Sequence, residues 1–196
     1  MAVGFVVVPS TKCRKWPHAV DTLACLWGFA EATIFFIVPD VLLTWIALRG
    51  VRPALKTCGA TLLGAMLGGT LMWICGSLDA VAARSVLDHI PAISPEMIAS
   101  VHDDLATHGL RSMLLGSLIG TPYKIYAVYS GALGLNLFGF VVMSVPARLI
   151  RFVGLTIIVA WVAHLIGPRM SLRAKQRVHV ILWFAFYVLF LIFMPN

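Results

Sequence analysis

Long apolar runs separated by short basic patches set the pattern of this chain. The first run, Trp16–Leu48, lies between Lys15 and Arg49 and is 33 residues long. One bilayer crossing takes about 20 residues, and two with a turn take more than about 40. The run is too long for one span and too short for two. It also holds Glu31 and Asp40 around Pro39, and proline breaks a helix interior and disfavours helix at the preceding residue. A re-entrant hairpin with its tip near Ile37–Pro39, entering and leaving on one side, satisfies all of this. The second run, Thr57–Leu78, reads as an uninterrupted span with Ala60, Gly64, Gly68 and Gly76 at multiples of four. Such a stripe lets another helix approach closely, and packing is its simplest use.

Asp79–Arg111 is the one long polar stretch. Ser94, Pro95 and Glu96 read as N-cap, first-turn proline and first-turn acid. Ile98, Val101 and Leu105 share a face and Gly109 is a stop, so short amphipathic helices on the bilayer surface are expected. The next run, Ser112–Leu135, has 24 residues and is broken at Gly120-Thr121-Pro122, with Lys124 just past the break. It repeats the logic of the first hairpin with the opposite charge. Leu137–Ile166 is a long span carrying Pro146, Arg148 and Arg151, and Gly167-Pro168 ends it. A basic loop with Arg169, Arg173, Lys175 and Arg177 follows. The last span lies within 178–194, where the apolar run Val180–Met194 is barely long enough to cross.

The predicted fold is therefore a single all-α membrane domain over residues 1–196. Two opposed re-entrant helical hairpins combine with crossing helices in an inverted repeat. Counting basic residues supports it. With both broken runs re-entrant, ten Lys/Arg fall on one side and two on the other, against nine and three if every run crossed. The basic side is the cytoplasmic one, which places the N-terminus there. Non-helical backbone at membrane depth survives only when buried in protein or lining a cavity, so the breaks mark a site.

Composition agrees with the pattern. The chain is 60% hydrophobic and 12% charged, where soluble domains run near 45–50% and 25%. That excludes a soluble or disordered protein. A net charge of +7 set in short clusters between apolar runs is what topology requires, and nucleic acid is not an expected partner. Phe5–Val8 precedes the basic cluster Lys12, Arg14, Lys15, so a cleavable signal is not expected. The cysteines Cys13, Cys25, Cys58 and Cys75 lack metal or redox spacing. His102, Asp103, Asp104 and His108 read as the wet face of a surface helix, and no metal or cofactor is expected. Tyr123, Tyr126 and Tyr129 recur every three residues, which usually means packing.

Glu31, Asp40, Lys124, Arg148 and Arg151 lie inside apolar runs, where each costs several kcal/mol unless paired or hydrated. The first half supplies two acids and the second three bases. Arg148 and Arg151, three apart, share a helix face, and guanidinium forks bind phosphate in pairs. Two uses are open: a phosphate headgroup clamp, or ion pairs with Glu31 and Asp40 that hold the halves together. Glu31 and Asp40 could equally carry protons.

Glu31 followed by Val38-Pro39-Asp40, then Thr121-Pro122-Tyr123-Lys124, Ser130-Gly131-Ala132, and Arg148 with Arg151-Phe152, resemble the DedA superfamily over roughly residues 20–160. The likeness is to its YqaA-like branch, also known by the SNARE-associated Golgi or VTT domain. The resemblance implies two opposed re-entrant hairpins in a bacterial inner membrane. It implies transport of lipids or lipid-linked phosphates between leaflets, such as phospholipids or undecaprenyl phosphate. It also implies functional roles for the membrane-embedded acids and arginines. The carried-over acids are Glu31 and Asp40. The arginine-rich motif of the main branch is not kept: Ser117 and Leu118 stand near its first arginine and Lys124 near its second, while Arg148 and Arg151 come downstream.

The expected function is thus a flippase or scramblase for a phosphate-bearing lipid. Arg148, Arg151, Lys124 and Tyr123 bind phosphate, Glu31 and Asp40 couple protons, and Pro39, Gly120 and Pro122 form the hairpin breaks. Membrane lipids are the expected partners, and self-association into a homo-oligomer is left open. The alternatives are an ion or proton exchanger using the same charges, or a scaffold. An enzyme is not expected, since Gly-x-Ser-x-Gly and paired Asp-rich motifs are missing.

Overall fold

A computed structural model describes residues 18–91, 93–167 and 169–193. The expectations placed on Phe5–Val8, the basic cluster Lys12–Lys15, Cys13, Trp16, Pro168 and Met194 lie outside these. Among the described residues the chain is all helical, without strands. The helices are α1 (His18–Thr33), α2 (Asp40–Ala47), α3 (Val51–Leu78), α4 (Ala80–Asp88), α5 (Pro95–His108), α6 (Ser112–Ile119), α7 (Tyr123–Ala132), α8 (Leu137–Leu165) and α9 (Leu172–Phe193). A 3₁₀ turn, Gly109–Arg111, leads into α6.

Three helices, α3, α8 and α9, are long and apolar enough to cross a membrane. At about 1.5 Å per residue, α2, α6 and α7 each reach only about 12–15 Å, far short of a hydrocarbon core of about 30 Å. Both breaks fall where the sequence sets them. α1 stops at Thr33, and α2 begins directly after Pro39. α6 stops at Gly120, whose φ of 93° suits a residue without Cβ, and α7 begins directly after Pro122.

The order of contacts shows how the short arms run. Asp21, near the start of α1, accepts a hydrogen bond from Thr57 (3.1 Å) and pairs with Lys56 (3.3 Å), near the start of α3. Further along, Cys25 meets Gly64, and Ala32 meets Gly68. α1 and α3 therefore run parallel, so the chain has returned through α2 to the end where α1 began. α7 likewise runs parallel to the second half of α3: Tyr123 meets Gly69 and Val128 meets Gly76. α8 runs back, with Cys58 of α3 and Thr156 of α8 hydrogen-bonded at 3.5 Å.

The glycine stripe is packing surface. A Cβ on Gly64 would overlap the Cys25 carbonyl, and one on Gly76 the Val128 carbonyl. Helix backbones thus touch directly along α3. The main core lies between α3, α5, α7 and α8, where Tyr123, Ile125, Tyr126, Met113 and Phe140 are buried.

The polar stretch folds as expected locally. The Ser94 hydroxyl accepts from the Met97 N–H, and α5 ends at Gly109 with φ 62°. Glu96, exposed, is held below the usual carboxylate range by its own backbone N–H and then by the Ser94 hydroxyl. The apolar face is used differently from a bilayer-surface helix, because Ile98, Val101 and Leu105 are buried in the main core against α7. One boundary moves. α9 starts at Leu172, so Arg173, Lys175 and Arg177 lie on its first turns rather than in a loop. Ser171 caps it, accepting from the Ala174 N–H (3.3 Å), and nothing after it breaks the helix. The resulting 22 residues give about 33 Å, a full crossing length.

Gly64→Val is expected to destabilise the protein by about 1–3 kcal/mol through overpacking against α1. Gly59→Ala, whose Cβ meets nothing, is expected to be neutral or slightly stabilising. Thermal unfolding in detergent distinguishes them, and equal stability of the two variants would contradict this packing.

Candidate functional site

The two breaks and the middle of α9 surround a cavity of about 620 Å³. Glu31 from the end of α1, Asp40 from the start of α2, Lys124 from the start of α7 and Arg151 from α8 all line it. Four of the five charges picked from the sequence therefore meet in one space, although up to 120 positions separate them in the chain.

Their pairing is specific. Arg148 pairs with Glu31, and Arg151 pairs with Asp40, donating from Nε (3.0 Å) and Nη2 (2.5 Å) to the same Oδ2. The shared face of α8 thus grips both arms of the first hairpin. The two arginines differ in access. The Arg148 side chain is 1% exposed and lies between the rings of Tyr123 (4.8 Å) and Phe152 (5.0 Å). It does not line the cavity. The Arg151 side chain is 21% exposed and does. Tyr123 also sits behind the wall, with its hydroxyl donating to Ser144 (2.8 Å) and its ring stacked on Phe140. Of the four residues expected to bind phosphate, Lys124 and Arg151 are the two that reach the cavity.

Lys124 carries the surplus charge. Its ammonium donates to the Phe35 carbonyl (2.8 Å), and among the described residues it has no carboxylate partner. It is buried and occupies the second position of α7, where the positive end of the helix dipole disfavours a cation. Asp40 Oδ1 is also buried without a hydrogen-bond partner among the described residues.

Sequence reasoning placed a span within 178–194 but missed the part that α9 takes in the site. The Val38 N–H donates to the Tyr187 hydroxyl (2.8 Å), and Trp183, Phe186 and Phe190 line the cavity. His179, Trp183 and Tyr187 recur every four residues, one helix face, which is the signal that could have found them. Leu118, Ile119 and Phe186 also line the cavity, and all three are strongly exposed apolar side chains that edge it. His102, Asp103, Asp104 and His108 do not converge on an ion-holding cluster, and there is none among the described residues.

No family model matches this chain, and no solved structure matches it. An uncharacterized protein of Haemophilus influenzae is 22% identical over 181 residues, covering 88% of each chain. The likeness runs along nearly the whole of both proteins and names no ligand.

Removing one partner of a buried ion pair strands the other charge, at about 3–5 kcal/mol. Glu31→Gln strands the enclosed Arg148, whereas Asp40→Asn leaves Arg151 with access to the cavity. Detergent unfolding should therefore rank Glu31→Gln clearly below Asp40→Asn. The reverse order would contradict the assigned burial.

Proposed function

We propose that this protein moves a phosphate-bearing lipid between the leaflets of a membrane, in the manner of the DedA superfamily that it resembles. The observation that carries the reading is a charged cavity edged by exposed apolar side chains, in which Lys124 has no carboxylate partner among the described residues. Two ion pairs leave Lys124 in excess, and the N-terminus of α7 adds partial positive charge beside it. A phosphate mono- or diester completes that balance, and a metal cation worsens it. Arg151 supplies a planar guanidinium on the same wall, suited to two phosphate oxygens. The apolar edge at Leu118, Ile119 and Phe186 lets a lipid tail remain in hydrocarbon while the headgroup enters.

In this reading α1–α2 and α6–α7 are re-entrant hairpins from opposite faces, and α3, α8 and α9 cross. Helix lengths and the parallel runs of α1 and α7 with α3 support that. Each triplet, α1–α2–α3 and α6–α7–α8, is two short arms broken before a proline-led helix and then a crossing helix, the pattern of an inverted repeat. The membrane is a bacterial inner membrane, with the basic N-terminal side cytoplasmic. Arg148 with Glu31, and Tyr123 behind them, position the cavity wall. A second reading, ion or proton exchange through the same site, is favoured by Asp40 Oδ1, a buried carboxylate atom without a hydrogen-bond partner among the described residues.

The test is leaflet exchange in liposomes, with a phosphate-bearing lipid compared to a neutral-headgroup lipid. The unmodified protein should exchange the first preferentially. Lys124→Met should slow it about 10- to 100-fold, the worth of one charge-assisted hydrogen bond. Arg151→Lys, which keeps the charge and loses the fork, should slow it less. Equal exchange of both lipids would sink the phosphate site, and collapse of a pH gradient without lipid movement would favour the exchanger.

A further inference from the structure

A second cavity, of about 350 Å³, lies between α2, the second half of α8 and the first half of α9. It shares Leu155, Leu182 and Trp183 with the charged cavity, so the two are neighbours across a common apolar wall. Most of its polar lining is already occupied. The Thr44 hydroxyl donates to the Asp40 carbonyl (2.6 Å), the Trp183 indole donates to His179 Nε2 (3.1 Å) and Thr44 Oγ1 (3.2 Å), and the Lys175 ammonium donates to the Ala163 carbonyl (2.6 Å). His179 Nδ1 is buried and has no hydrogen-bond partner among the described residues. The remaining lining is aliphatic, with Val159 inside and Val162 and Val178 reaching the exposed edge. A space of this kind has too few polar partners to hold water well, and it lies within the size range of ligand pockets.

The helix that roofs it has little other seat. His179 is the one buried residue of α9, and the helix meets the rest of the protein through hydrogen bonds to Thr44, Val38, Ala163 and Arg49 and through the ring contacts of Tyr187 with Phe36 and of His179 with Trp45. α9 is thus held off α8 by polar struts, with an apolar gap beneath.

We infer that this gap is a tail site: it takes a hydrocarbon chain of the same lipid whose phosphate enters the charged cavity. The inference rests on the proposed function and deepens it. It makes the protein a two-point binder, which reads the headgroup at Lys124 and Arg151 and seats one chain under α9. The shared wall gives the continuity, and a lining that is mostly aliphatic, with most of its polar groups engaged within the protein, leaves hydrocarbon as the fitting chemistry.

The test uses the full-length protein in nanodiscs containing phosphatidylglycerol with a diazirine in one acyl chain. After irradiation, adducts are expected on Val159 and Ala163, which line the gap, in addition to the background on outward residues such as Leu189 and Ile192. Val162→Trp fills the mouth of the gap from an exposed position, so folding should survive, as its melting checks. The inner adducts should fall about tenfold in this variant while the outer background stays constant. Inner adducts that are absent, or unchanged in Val162→Trp, overturn the tail site, as does their exclusion by a second copy of the chain packed on α9. If they are absent while Lys124→Met still slows phosphate-lipid exchange, the headgroup reading stands without the tail site. If they form but exchange ignores the headgroup, the reading beneath fails and the two-point binder fails with it.

Discussion

Residues 34–39 are non-helical backbone placed among helices of membrane length; the Ile34 and Phe35 N–H groups still bond to the Ala30 carbonyl and the Pro39 carbonyl accepts from α2, but most of the polar groups between them have no helix ladder to join. In hydrocarbon each unsatisfied group costs several kcal/mol. Three side chains from three different helices meet this demand. Trp27 of α1 donates to the Ile37 carbonyl (2.9 Å), Lys124 of α7 to the Phe35 carbonyl, and Tyr187 of α9 accepts from the Val38 N–H. The broken segment is therefore the junction at which α1, α7 and α9 are tied together. Fixing Lys124 there also fixes a cation beside the two acids, so the same hydrogen bond that satisfies the backbone creates the charge imbalance of the cavity.

The ion pairs divide the labour along α8. Buried pairs contribute little net stability, because desolvation offsets attraction, but they specify geometry. Arg148, enclosed between two rings and joined to Glu31, fixes the end of α1 against α8. Arg151, one turn on, fixes Asp40 and still faces the cavity. Direct backbone contact along α3 makes the rest rigid. Gly64 and Gly68 receive α1, Gly76 receives α7, and the short arms have no room to slide. α9 is held more lightly, by a few hydrogen bonds and by the ring contacts of Tyr187 with Phe36 and of His179 with Trp45.

Much of this was legible in the residue order. Pro39 and Pro122 marked both breaks because proline's effect on helices is local. Ser94 and Gly109 marked α5 for the same reason. The five intramembrane charges stood out because membrane depth makes them costly. What could not be read was depth and partner choice. Spacing put Arg148 and Arg151 on one face, but only the packing of Tyr123 and Phe152 encloses one and spares the other. Pairing Arg148 with Glu31 rather than Asp40 depends on contacts 117 positions apart. The start of α9 was missed because Arg173, Lys175 and Arg177 resemble a loop by charge, although all three are good helix formers.

The return of the chain through α2 is the claim on which the cavity rests, since it brings Asp40 and Glu31 to one place. Sidedness measures it most directly. In a background without Cys13, Cys25, Cys58 and Cys75, single cysteines at Arg52 and Asn136 would be labelled in intact cells or oriented vesicles with a reagent that cannot cross the membrane. The account predicts that position 52 reacts from the same side as the N-terminus and position 136 from the opposite side. Position 52 reacting from the side opposite the N-terminus would mean that the first run crosses, and would contradict it.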